Sequence, residues 1–169
     1  MKRLIGGLVM TAVLIAAGPV QAGWVIVHGT AAQKINPDTF AGTASAFFDS
    51  SIDNYSTGYK IVPNKSSTVI VIVPIPGPVD LNQYLSKIKI NFESDPGAKI
   101  TEVEFFNGAV ENAGLSNIQW YGPVQTKTVQ PGGSYSFEKG LAIMIRVTGT
   151  TSQARTLKLY SVSALYLPK

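Results

Sequence analysis

The sequence contains no cysteine and a single histidine, His28, among 169 residues. The missing thiols exclude disulfides, thiolate metal sites and cysteine catalysis. One imidazole cannot build a zinc site from histidines, and no Gly-x-Ser-x-Gly elbow is present to supply a hydrolase serine. Helical patterning is also scarce, because no long window holds an apolar period near 3.6. Charge is low too, at 14% Asp, Glu, Lys and Arg.

The first residues are an exception to that last feature. Met1-Lys2-Arg3 is followed by an uncharged apolar run from Leu4 to Ala17, then Gly18-Pro19-Val20-Gln21-Ala22. A basic start, a short apolar stretch and a small-residue end make a cleavable signal peptide over residues 1–22. The apolar run is shorter than the ~18 residues a membrane-spanning helix needs. The expected mature domain is 23–169, exported to the periplasm or the exterior. Without Lys2 and Arg3, twelve basic residues face ten acidic ones, a net charge of +2. With no clustered Lys or Arg, this balance excludes an electrostatic nucleic-acid binder.

What the chain has in quantity is strand patterning. Runs rich in Val, Ile, Thr, Phe and Tyr lie between clusters of Gly, Pro, Asn and Asp. Trp24 to Val27 reads as an opening strand ending near His28-Gly29. Ala31 to Phe48 is ambiguous, with Ala44 to Phe48 either strand or helical turn. Thr68 to Val73 reads as a central strand covered on both faces, ended by Pro74-Ile75-Pro76-Gly77-Pro78. Ile88, Ile90 and Phe92 alternate with lysines, and Thr101, Val103 and Phe105 with glutamates. Asp95-Pro96-Gly97-Ala98 between them predicts a hairpin in which Lys89 faces Glu104. Leu141 to Val147 and Leu157 to Leu167 suggest a second pairing, with a bulge near Tyr160-Ser161. The fold class is therefore all-β: a single antiparallel β-sandwich of about eight strands, jelly-roll-like in preference to immunoglobulin-like.

The candidates for chemistry are few. Trp120, Tyr121, Tyr55 and Tyr59 are aromatic residues placed in loops, suited to stacking on a sugar or anchoring a protein, and equally to capping the core. Asp49, Asp53 and Asn54 form an oxygen-rich loop that lacks EF-hand spacing, so calcium is a weak reading and no cofactor is expected. Glu102 and Glu104 share a strand face, which fits pairing with lysines better than a carboxylate pair across a cleft. His28 reads as a strand-end residue. The short basic start and Val-Gln-Ala end of the signal peptide are of bacterial type, so the matches of Asn54-Tyr55-Ser56 and Asn64-Lys65-Ser66 to a glycosylation pattern read as chance.

Trp24-Val25-Ile26-Val27-His28-Gly29 and Val73-Pro74-Ile75-Pro76-Gly77-Pro78-Val79 together resemble a group of small bacterial exported β-sandwich proteins. That group opens with a Trp…His-Gly element and carries a Pro-Ile-Pro-x-Pro-like connection. The resemblance implies the fold and makes both segments structural; it supplies no site. The functional expectation is a non-catalytic binding or interaction module for a glycan or protein. The alternative is a structural subunit that self-associates, as a homo-oligomer, through the β-prone runs Trp24–Val27 or Thr68–Val73. A hydrolase of envelope polymers has least support.

Overall fold

Alternate residues of the long apolar runs point to one side, and two sheets close over them. The computed structural model describes residues 22–36, 39–49, 56–78, 82–132, 135–137, 139–151 and 154–169. Eleven strands follow in order: β1 Gly23–His28, β2 Gln33–Lys34, β3 Gly42–Asp49, β4 Ser56–Pro63, β5 Thr68–Ile75 and β6 Gln83–Ser94. Then come β7 Ala98–Asn107, β8 Val110–Leu115, β9 Gly122–Val129, β10 Leu141–Gly149 and β11 Leu157–Pro168. Sheet A has the order β3-β4-β11-β6-β9, with β1 also paired to β11; sheet B has the order β2-β5-β10-β7-β8. All the pairings are antiparallel.

Strands β4 to β11 form an eight-stranded jelly roll, with β4-β11-β6-β9 in one layer and β5-β10-β7-β8 in the other. The first three strands are additions. The ambiguous stretch before Phe48 supplies β2 and β3, the latter wholly extended.

The inward faces are those the alternation selects. Ile88, Ile90 and Phe92 of β6 meet Val69, Val71 and Val73 of β5 and Ile143, Ile145 and Val147 of β10 in one buried cluster. Burying each such side chain contributes about 1.5–3 kcal/mol. The phase change expected near Tyr160 is present: the β11–β6 register shifts between Leu159 and Ser161. This turns Leu157 and Leu159, then Val162 and Ala164, into the core. A second irregularity leaves Thr101 as the extra residue of β7. Its hydroxyl lies 3.0 Å from that of Thr148, itself 3.1 Å from that of Thr68.

Three local expectations are corrected. The expected hairpin is an arch. β6 pairs with β11 and β9 in sheet A, whereas β7 pairs with β10 and β8 in sheet B. Lys89 stands opposite Ser163 and Thr128, and Glu104 opposite Met144, on the outer faces of different layers. The same turn and alternation serve either connection; what decides is that both edges of β6 are already taken. The Asp95 carbonyl still accepts the Ala98 N–H at 3.0 Å, closing the turn. β10 and β11 are likewise joined across layers rather than paired. The two arches are tied together: Asp95 N–H donates to the Thr156 carbonyl (2.8 Å), Asp95 Oδ2 accepts the Thr156 N–H (3.1 Å), and Gly97 O accepts the Thr150 N–H (2.8 Å). Gly97 lies so close to the Ala154 carbonyl that a Cβ has no room.

The third correction concerns β5. It lies one place from the edge, with Val69, Val71 and Val73 buried and Thr68, Ile70 and Ile72 half-buried. β2 covers only Val71 and Ile72. The Asn36 side chain extends that cover, its amide donating to Thr68 O (2.9 Å) and accepting from Ile70 N (3.0 Å). The strand also runs two residues into the proline segment, as far as Ile75. Pro76 then receives the Tyr166 hydroxyl at 3.2 Å, and burial pushes that phenol up to about 12.

Gly29, directly after β1, is buried where the chain passes β4 and β11. A Cβ there would strike the Leu159 carbonyl and come within 3.1 Å of Tyr59 N. Gly29→Ala is expected to cost about 1–3 kcal/mol in urea denaturation, the usual range for overpacking. Gly23→Ala, with nothing within 4 Å of its added methyl, should stay within about 0.5 kcal/mol of wild type. Equal stabilities for the two variants would contradict this packing.

Candidate functional site

The outer face of sheet A carries a row of charge across three strands. Lys158 of β11 pairs in register with Lys60 of β4 on one side and Glu93 of β6 on the other. Its ammonium bonds Glu93 Oε1 at 2.7 Å and stands 5.8 Å from the centre of the Phe47 ring. Phe47 in turn meets Tyr160 edge-on at 6.0 Å. Where this row reaches the linked arches, a cleft of about 440 Å³ opens. Lys60, Lys158 and Glu93 form its floor; Ser94, Asp95 and Thr156 line the arch side, and Gly122 and Pro123 the β9 side.

Several of these groups are engaged. Ser94 Oγ accepts the Gly122 N–H at 3.2 Å, and Asp95 is held by Thr156. Lys158 and Glu93 neutralise one another. Lys60 is exposed and has no partner among the described residues, so it keeps donors for a ligand. Chemically, the cleft offers an ammonium, a carboxylate edge and a hydroxyl within one open depression.

The aromatic candidates separate. Tyr121 is 47% exposed and precedes the cleft residue Gly122 in the chain, but it does not line the cleft: its ring centre lies 4.9 Å from the ammonium of Lys99, on β7 of sheet B. Trp120 is half-buried, packed on the core and bridged to Ile100 of β7. Tyr59 belongs to β4 rather than to a loop. Its ring is in the core, and its hydroxyl receives the Lys34 N–H at 3.2 Å. Tyr55, Asp53 and Asn54 lie outside the described residues, and Asp49 ends β3. No group of three or more His, Asp or Glu among the described residues could hold a metal ion. His28 ends β1, exposed, with Nδ1 3.2 Å from Thr57 Oγ1. Lys60 and Lys158 escaped sequence reasoning because they come from strands far apart in the chain. Their period-two positions marked them only as outward.

Comparison with known proteins finds no family model and no curated protein that matches. Solved structures do match. The apo form of a cyclase from Fischerella sp. aligns with TM-score 0.55 and 10% identity, over 90% of this chain and 92% of that one. A cyclase from Fischerella sp. TAU in complex with 4-(1H-indol-3-yl)butan-2-one gives 0.52 and 10%, over 86% and 89%. The likeness is one of fold. A low-affinity xylan binding module, CBM86, from Roseburia intestinalis gives 0.48 and 10%, over 87% and 96%, too distant to bear on any argument.

The glutamates on the outer face of sheet B are paired, but with arginine rather than lysine. Arg146 of β10 forms an ion pair with Glu102 through Nε, which makes no hydrogen bond, and lies 3.8 Å from Glu104 through Nη2. Burial pushes the Glu104 carboxyl above the usual carboxylate range; the hydrogen bond and charge of Glu102 and the charge of Glu111 add to this, and Arg146 opposes it. The native state therefore holds this proton more tightly than the unfolded chain does. The stability so gained is complete below the unfolded-state value and is lost as pH rises through the native one. Glu104→Gln cannot lose it. The stability of Glu104→Gln relative to wild type should grow as pH rises from 4 towards 7, measured by denaturant titration. Parallel pH profiles would contradict a raised Glu104.

Proposed function

We propose that this chain is an exported, non-catalytic binding module whose ligand is a glycan held in the sheet A cleft. The observation that carries the proposal is the Lys60–Lys158–Glu93 row, laid open in the cleft. Sugar hydroxyls both donate and accept hydrogen bonds, so an ammonium beside a carboxylate serves them better than a site of one sign. The low net charge supports a neutral ligand over a polyanion. Export rests on the signal-like first 22 residues.

A hydrolase reading finds less support. Its only imidazole, His28, bonds a threonine hydroxyl. The cleft carboxylates Glu93 and Asp95 are each held by a partner.

A glycan array followed by calorimetry tests the proposal. Removing a hydrogen bond to a charged group costs about 1.5–3 kcal/mol, roughly ten- to a hundredfold in affinity. Lys60→Ala and Glu93→Gln should each weaken a detected glycan by that order, with unchanged far-ultraviolet dichroism. Absence of any glycan ligand, or affinity indifferent to both substitutions, would overturn the site.

A further inference from the structure

The sheet edges are not equally protected. β2 is two residues long, and Lys34 Nζ ties it to Gly42 O of β3 at 2.8 Å. β3 ends on Asp49, β8 carries an exposed Glu111, and β9 contains Pro123 and Lys127. Short length, charge and proline are the means by which edges resist a further strand. β1 has none of them. It extends six residues as Gly-Trp-Val-Ile-Val-His, with β11 on one side and no described strand on the other. Trp24 is 42% exposed and Ile26 69%, on the outer face; Val25 and Val27 face inward and pack against the core. The Lys89 ammonium sits 4.4 Å from the Trp24 ring centre, covering one side of the indole and leaving Ile26 bare.

We propose that the free edge of β1 pairs antiparallel with β1 of a second copy of this chain, about a two-fold axis through Ile26. In that register Ile26 faces Ile26 of the partner, Val25 faces Val27, and Trp24 faces His28. Apolar meets apolar on the inner face and aromatic meets imidazole on the outer, so the edge is complementary to itself. A charged partner strand would find nothing to match. Pairing joins two six-stranded sheets into one and continues the apolar layer from copy to copy. The contact is one strand long, well below the ~1,200–2,000 Å² of stable interfaces, so the dimer is concentration-dependent. With the axis perpendicular to sheet A, both clefts open on the same side, an arrangement that a polymeric ligand can bridge. That last consequence rests on the proposed function; the pairing does not.

Sedimentation over a concentration series tests the pairing without any glycan. Wild type should pass from one copy to two. Ile26→Lys, which sets like charges opposite each other on the axis, should weaken association at least about tenfold at an unchanged melting temperature. Because the chain has no cysteine, Ile26→Cys gives a single thiol. Neighbouring strands hold opposed Cα atoms about 4.5–5.5 Å apart, within disulfide reach, so mild oxidation should link this variant rapidly. Ile35→Cys, exposed elsewhere on the chain, should link only by collision. A wild type monomeric at every concentration, a dimer indifferent to Ile26→Lys, or equal cross-linking at 26 and 35 would overturn the pairing.

Discussion

Both sheets turn one face toward a single apolar layer, and the other features of the molecule hang from it. Residues such as Ile90, Phe92, Val103, Ile145 and Val162 have no exposed surface. At about 1.5–3 kcal/mol each, their burial outweighs any surface ion pair, for which about 0–1 kcal/mol is usual. Lys158–Glu93 and Arg146–Glu102 therefore decorate outer faces whose orientation the core has already set. Two of the register irregularities belong to the same constraint. By absorbing one residue near Tyr160 and one at Thr101, they keep the inward phase along strands too long for one uninterrupted register.

A two-layer fold of this kind needs connections that change layer. β6 to β7 and β10 to β11 do so side by side, and Asp95, Gly97, Thr150 and Thr156 bond the two crossings together. The crossings bring Ser94, Asp95, Thr156 and Gly122 to one end of sheet A, where they wall the charged row. The cleft is thus a by-product of layer switching: a depression where strand ends from β6, β9 and β11 converge.

The sequence makes side-chain facing legible and leaves partners hidden. Period-two alternation correctly turns Ile88, Ile90 and Phe92 inward and Lys89 and Glu104 outward, because facing is a property of one strand. It does not say which strand lies alongside. Asp95-Pro96-Gly97-Ala98 closes the same turn in a hairpin or an arch, and the choice depends on β9 and β11, which lie far along the chain. The site follows the same rule. Lys60 and Lys158 become a pair only when β4 and β11 align. Tyr59 reads as a loop aromatic from sequence because the start of β4 carries Gly58 and little apolar pattern.

The layer assignment of β6 and β7 is the claim on which the core, the arches and the cleft all rest. Cross-strand Hα–Hα nuclear Overhauser contacts in the labelled protein measure it directly. Short-range contacts are expected between the strands that pair Ile90 with Val162 and Val103 with Ile145, and none between Ile90 and Val103. Contacts along Ile90–Val103 and Lys89–Glu104 would show a hairpin within one sheet and contradict the fold described.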